Sequence, residues 1–366
     1  VSRVGISADF HIANHRTLGG PVIAGVNLRC RLIGEAARRA FQLAGDAECD
    51  YFAILGDVFD NGKPSPEVIG VMADAIASSP IPVVVIPGNH DCSSNELGNH
   101  ALAALRKVAN CRVVEEPLFL QPEGIIFAPF SPRPPVEYFT ELLERAGEGC
   151  WSLLGHVGIV GPETSEFLTH GRNIITIEQI FAIPQPKKCW LRVVAAGDFH
   201  QHVIHEGVLG AVNVVQVGAL CQANFGDPPE VGRVCILDTD GPGITEILTV
   251  PGPRFVKTYF TGGAMVFPEP RPGKDCDLFY SIECPTKEDA AAAEALMEEI
   301  AAKSPDMKLR GWKIELTPSQ AQQTEVVEAV QSAVQVQEAL GEWATAQPVS
   351  EEVRQRAVQI AEECLR

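Results

Sequence analysis

The chain has 366 residues, 46% of them hydrophobic and 21% charged, which is the profile of a globular protein longer than a typical single domain. No apolar run approaches the roughly 20 residues that span a bilayer, and Val1–Ile6 enters a strand-like run with no secretory leader, so a soluble, cytoplasmic protein is expected. The formal charge of -18 counts against simple nucleic-acid binding, which usually relies on a basic surface.

In chain order, short β-branched runs alternate with helix-like stretches. Arg3–Ala8 reads as a strand, Leu28–Ala44 as an amphipathic helix, Tyr51–Leu55 as a strand, Glu67–Ala77 as a helix and Val83–Pro87 as a fully apolar strand. Further strand patterns follow at Trp151–His156, Leu191–Ala196, Val212–Val217 and Val231–Leu237, with fewer helices between them. This alternation predicts an α/β layered fold, two packed sheets flanked by helices, over residues 1–250.

Pro251-Gly252-Pro253 marks a boundary. Beyond it, strands are expected at Phe255–Phe260, Leu278–Cys284 and Lys308–Leu316. A helix from Thr286 to Ile300 is capped by Thr286 with Asp289 three residues later. This ββαβ unit, residues 251–318, is predicted to be a small α+β cap. Residues 319–366 read as a helix-loop-helix, with Val326, Val330, Val334, Leu340 and Trp343 on one stripe and Val353, Ala357, Ile360 and Cys364 on the next. The eleven cysteines include no CxxC pair and are read as reduced thiols.

Five clusters of potential ligands end the apolar runs: Asp9-Phe10-His11, Gly56-Asp57-Val58-Phe59-Asp60, Gly88-Asn89-His90-Asp91, Gly155-His156 and Gly197-Asp198-Phe199-His200. Ligand sites in open α/β sheets gather at the carboxyl ends of strands, and glycine beside a ligand permits the sharp turn that brings side chains together. Any one cluster alone is weak; all five, in this order and each after a strand, form a strong joint signal. A pair of divalent metals needs a bridging carboxylate with His, Asn and Asp completing each shell, and mixed nitrogen and oxygen ligation suits Mn2+ or Fe2+ while admitting Zn2+ or Mg2+.

The clusters resemble the signature of calcineurin-like metallophosphoesterases, DxH, GDxxD, GNH[DE], a lone His and GHxH. Pro64-Ser65 after the second cluster, and Leu153-Leu154-Gly155-His156 running into Gly158 and Gly161, resemble SbcD-type DNA-repair exonucleases. With the cap and the terminal helices, the similarity extends over nearly the whole chain. It implies a metal-dependent DNA exo/endonuclease with two divalent ions, Mn2+ first among the candidates. Asp9, His11 and His200 would hold one metal, Asn89, His156 and Asp198 the other, and Asp57 would bridge them. His90 would stabilise the transition state and help protonate the leaving oxygen, with Asp91 orienting it.

The resemblance also implies a coiled-coil SbcC-type ATPase partner gripped by the terminal helices through Leu340, Trp343 and Ile360, a homodimer, DNA as substrate, and a bacterial or phage-infected cell as setting. The family usually has His where this chain has Asp198, which leaves open an altered metal preference or a slow, scaffold-like subunit. A phosphoesterase acting on small molecules or phosphoproteins is the enzymatic alternative, and the acidic composition favours it. Of the remaining residues, His15 reads as an exposed loop histidine, His202 and His205 as continuing a strand, and His100 as a helix residue. Arg133 reads as a solvated loop residue, and His170 carries no signal.

Overall fold

The apolar runs become strands that are covered on both faces, by a second sheet on one side and by helices on the other. The computed structural model describes residues 2–93, 99–162, 164, 173–186, 188–205, 212–229, 231–241, 243–266 and 276–317. One six-stranded sheet runs in the spatial order Gly243–Thr249, Arg233–Asp238, Arg3–Ser7, Tyr51–Leu55, Val83–Ile86 and Cys111–Val113. Its last four strands are parallel and its first two join antiparallel. The other six-stranded sheet runs Val203–His205, Asn213–Gln216, Cys189–Gly197, Gly149–His156, Ile125–Ala128 and Leu118–Leu120, with four parallel inner strands and antiparallel edges.

Alternate residues of each strand serve different layers. Val4, Ile6, Ala53 and Leu55 meet Phe127, Leu154, Val193 and Val215 between the sheets. Phe52, Ile54 and Val85 point the other way, against Ile33, Phe41 and Met72 of the helices Leu28–Asp46 and Pro66–Ala77. The second sheet buries Ile126, Leu153 and Val194 under Phe139, Leu142 and Leu143 of the helix Pro135–Ala146. Burial on both faces explains why the strands read as unbroken apolar runs. Phe41 meets Phe52 edge-on at 4.9 Å between ring centroids, and truncating a buried Phe to Ala costs about 3–5 kcal/mol. The layered α/β fold expected from the alternation is therefore the observed one.

Local sequence sets the helix starts. Asn27 Oδ1 accepts the Cys30 N–H at 2.9 Å, and Ser65 caps the next helix ahead of Pro66. The helix Pro135–Ala146 is hidden in the sequence by the Pro-rich approach at Pro132 and Pro134; proline is tolerated at the first turn, where its missing N–H has no partner to lose.

The chain divides into two compact units, with divisions at Lys257/Thr258, Ser281/Ile282, Leu296/Met297 and Lys313/Ile314. In the first unit Phe255 stacks on Phe279 at 5.1 Å and both pack with Leu32. The first division therefore falls inside the strand Pro253–Thr261 rather than at Pro251-Gly252-Pro253. In the second unit Tyr259, Phe260 and Thr261 pair with Val266, Met265 and Ala264 as a hairpin, and Thr286 Oγ1 accepts the Asp289 N–H at 3.0 Å to start the helix Lys287–Lys303. The expected terminal helices, residues 319–366, and His170 lie outside the described residues. Among the described residues the cysteines are free thiols, and no helix is long and apolar enough to cross a membrane.

Candidate metal centre

The parallel strands of both sheets end at one rim, and all five clusters stand on it. Two short contacts join the sheets there: the Asp198 N–H donates to the Asp9 carboxylate at 3.0 Å, and His156 Nδ1 donates to the Leu55 carbonyl at 2.9 Å. Close approach demands glycine. A Cβ on Gly56 would sit 2.3 Å from His156 Nδ1, and one on Gly88 would sit 2.2 Å from Asp57 Oδ1. Asp9, His11, Asp57 and Asp198 all adopt positive φ, at 53°, 46°, 50° and 98°. Four strained non-glycine residues at one rim match the pattern of functional sites, where surrounding structure holds the backbone in costly conformations.

The seven predicted ligands form one continuous network. Asp57 Oδ2 lies 3.8 Å from His11 Nε2 and 3.5 Å from His156 Nε2, so Asp57 stands between the two halves. On one side His11 Nε2 is 3.1 Å from His200 Nε2. On the other, His156 Nε2 is 2.7 Å from Asn89 Oδ1 and 3.5 Å from Asp198 Oδ1. Two triads, Asp9–Asp57–His156 and His11–Asp60–His90, each bring ligand atoms within 4.8 Å of one another.

The donor set fits divalent cations. His156 Nδ1 faces a carbonyl, so that nitrogen carries the proton and Nε2 of the neutral ring is a lone pair. That lone pair faces the oxygens of Asn89, Asp57 and Asp198. In the same way His200 Nδ1 donates to Asp227 Oδ1 at 3.0 Å, which turns its Nε2 lone pair toward His11. Acceptors converging on acceptors require a positive charge among them, either protons or cations, and an imidazole whose far nitrogen is anchored by an oxygen is the usual arrangement of a histidine ligand.

The proton affinities express the same requirement. Burial pushes the Asp9 carboxyl up to about 6, with His156 pulling against it and Asp57 adding to it. Burial disfavours the His200 imidazolium, but Asp227 and Asp9 outweigh it and raise that group to about 9. Burial likewise opposes charge on His156, yet Asp57, Asp198 and Asp9 hold it well above the ordinary value for histidine. The rim thus retains protons that ligation by a cation would release.

His90 is exposed; its N–H donates to Asp57 Oδ1 at 2.9 Å, its Nδ1 donates to the Asp60 carbonyl at 3.0 Å, and its ring meets His11 edge-on at 4.9 Å. Asp91 does not orient it, contrary to expectation. The fully buried Asp91 carboxylate accepts the N–H groups of Gly88 at 2.9 Å, Phe59 at 2.9 Å and Val58 at 3.2 Å. Its task is to lock the second cluster to the third, because those amides would otherwise be buried without partners. Burial and the nearby Asp57 raise its carboxyl to about 7.

His15 is half-buried rather than exposed, with Nε2 3.1 Å from the His11 carbonyl, and burial lowers it to about 4. His205 ends a strand as expected, and His202 precedes it. His100 lies just before the short 3-10 helix Ala101–Lys107 rather than within a helix. Arg133 is exposed and paired with Glu141 at 2.7 Å, with no place among the donors. Two supporting residues escaped the sequence reading. Asp60 Oδ1 approaches His11 Nδ1 at 3.5 Å, and Asp227 holds His200. Asp60 belongs to a recognised cluster; Asp227 follows no strand and has no signal of its own.

Fold and rim together define a metal-dependent phosphoester hydrolase. A family model described as Calcineurin-like phosphoesterase matches residues 2–228, more than half of the chain, and the chain belongs to that family, whose members bind two divalent metals. Among solved structures it is similar to the TT1561 protein of Thermus thermophilus, at 14% identity over 68% of this chain and 99% of that one, with a TM-score of 0.43. It is also similar to a dimetal phosphatase from Danio rerio, at 12% identity over 68% of this chain and 98% of that one, with a TM-score of 0.40. A search of curated proteins finds no match.

Proposed function

We propose that this chain is a two-metal phosphodiesterase of the SbcD type that cuts DNA. The observation that carries the reading is the continuous donor network around Asp57 with one exposed imidazole, His90, beside it. Asp9, His11 and His200 would hold one ion, Asn89, His156 and Asp198 the other, and Asp57 both. Such a pair supplies Lewis acidity, which activates water near neutral pH and neutralises the phosphate in the transition state.

The chain's own groups do the rest. Asp57 Oδ1 and the Asp60 carbonyl fix both the backbone and the ring of His90. With Nδ1–H committed to Asp60, the imidazolium form presents its second proton at Nε2, where it can pass to a leaving oxygen. Burial of Asp9, Asp57 and His156 keeps bulk water away from the donors and strengthens their field.

The specific assignment to DNA rests on the sequence resemblance, namely Pro64-Ser65 after the second cluster and Gly158 and Gly161 after His156. Residues 319–366, with eight Glu against three Arg, would grip a basic surface on an SbcC-type ATPase through Leu340, Trp343 and Ile360. The net charge of -18 favours a second reading, a phosphoesterase of small molecules or phosphoproteins.

The deciding experiment supplies Mn2+, Mg2+ or Zn2+ and compares linear, hairpin and single-stranded DNA with a small aryl phosphodiester and an aryl phosphomonoester. Metal-dependent cutting of DNA and of the diester is expected. Hydrolysis of the monoester with intact DNA, alone and with the ATPase, would replace this reading with the second. Truncation before Ser319 is expected to spare the small diester and to end co-purification with the ATPase; unchanged co-purification would remove the tail's proposed role.

A further inference from the structure

Arg29 is a buried cation that the reading above leaves unused. It is 3% exposed and forms no ion pair among the described residues. Its Nη1 donates to the Thr17 carbonyl at 3.2 Å, its Nη2 donates to the Ala223 carbonyl, and its guanidinium lies 4.5 Å from the centroid of the Phe255 ring. Nε has no hydrogen-bond partner. Burying a guanidinium against carbonyls and an aromatic face, with Asp60 and Asp227 acting on it only from beyond ion-pair distance, is costly and calls for a reason.

The Ala223 carbonyl supplies one, because it shares a peptide group with the N–H of Asn224. That N–H donates to Asp227 Oδ2 at 3.1 Å, and Asp227 Oδ1 accepts from His200 Nδ1 at 3.0 Å. Arg29, one peptide dipole, Asp227 and His200 therefore stand in series. Each hydrogen bond in such a chain polarises the next, more strongly in a dry interior than in water. A cation at one end pulls on the carbonyl, strengthens the N–H at the other side of the same peptide and pins the carboxylate that it meets. The pinned carboxylate fixes the His200 ring with Nε2 toward His11. Phe255 is itself held in place, its N–H donating to Gln222 Oε1 at 2.8 Å while Gln222 Nε2 donates to the Asp227 carbonyl at 3.1 Å.

We infer that Arg29 and Asp227 form a positioning relay that sets the tautomer and orientation of His200 as a metal ligand. This rests on the metal-centre reading, and the relay itself lies outside the five clusters. Arg29 is a positioning residue here, acting through Asp227.

The test uses the full chain and two readouts. The first is nitrogen NMR of the histidine rings in the metal-free protein, taken in buffer alkaline enough to leave the His200 ring neutral, where the wild type is expected to show His200 protonated at Nδ1. The second is Mn2+ binding by equilibrium dialysis, read as stoichiometry and affinity. Asp227→Ala is expected to weaken one of two Mn2+ sites by about 10–100-fold, the usual effect of losing a ligand's outer partner. Arg29→Gln is expected to weaken the same site by about tenfold and to broaden or shift the His200 ring signal, while Arg29→Lys, which keeps the charge but not the fork, recovers part of the loss. Circular dichroism selects variants that remain folded, and Asp227→Asn provides the milder change if Asp227→Ala does not fold. Folded Arg29→Gln with unchanged His200 signals and unchanged Mn2+ affinity would overturn the relay, as would equal weakening of both sites. A wild-type protein that binds no Mn2+ while showing the expected His200 signals would instead sink the metal-centre reading, leaving the relay's geometry intact.

Discussion

The two halves of the donor network place their negative charge differently. Around His11 and His200 the carboxylates stand behind the imidazoles: Asp60 Oδ1 is 3.5 Å from His11 Nδ1, and Asp227 Oδ1 accepts from His200 Nδ1 at 3.0 Å. Around His156 the group bonded behind the ring is a neutral carbonyl, that of Leu55 at 2.9 Å, with Asp9 Oδ1 farther off at 3.9 Å, and the carboxylate of Asp198 stands in front, 3.5 Å from Nε2. A carboxylate behind a ring makes the imidazole a stronger donor without joining the ligand set. A carboxylate in front is itself a candidate ligand. Asp198, where the family resemblance leads one to expect His, thus adds charge in front of the one histidine of these three whose Nδ1 is hydrogen-bonded to a carbonyl rather than held by a carboxylate.

Variants that break the halves apart should have the largest effects. Asp57 faces both, so Asp57→Ala is expected to abolish metal pairing and reduce turnover of a small phosphodiester to background. Measured Mn2+ stoichiometry of two, with retained cleavage, would remove its bridging role. His90→Ala leaves both halves standing and is expected to keep metal binding while lowering turnover by about 10²–10⁴-fold. Equal loss of metal and of rate would show that His90 supports the ligands instead. Asp91 binds the backbone beneath the network, and Asp91→Ala leaves three buried amides without acceptors. It is expected to lower stability by about 3 kcal/mol in urea unfolding, with the folded fraction still binding metal. A variant as stable as wild type but catalytically dead would restore Asp91 to the chemistry.

What the sequence made legible follows the same division. The halves' ligands stand at the ends of buried strands such as Tyr51–Leu55 and Cys189–Gly197, and such runs are conspicuous because nearly every residue is apolar, Arg192 being the exception. Asp91 was visible as a member of the third cluster, but two of its three partners are amides of the second, some thirty residues away. No pattern of side chains announces a hydrogen bond to a distant backbone. Asp227 was invisible for a related reason. It lies in a turn whose position depends on the Leu220 N–H reaching the Ala8 carbonyl at 3.0 Å, a tertiary contact rather than a local preference. The helix Pro135–Ala146 was masked by prolines that belong to its entry, and the three-residue strands Cys111–Val113 and Leu118–Leu120 are too short to show a period.

The two halves differ most at Asp198, where the expected effect is smallest and its direction most informative. Asp198→His removes the carboxylate in front of His156 Nε2 and leaves the Asp198 N–H contact to Asp9, a backbone bond, in place. Carboxylate ligation favours Mn2+ and Mg2+, and imidazole favours Zn2+. The ratio of Mn2+-supported to Zn2+-supported hydrolysis of a small diester should therefore fall in the variant, by on the order of tenfold, while total metal stoichiometry stays the same. His11 and His200, supported from behind by Asp60 and Asp227, should not feel the change. If the ratio held constant, Asp198 would stand outside the ligand set, and the charge facing His156 would serve to hold the sheets together rather than to choose the metal.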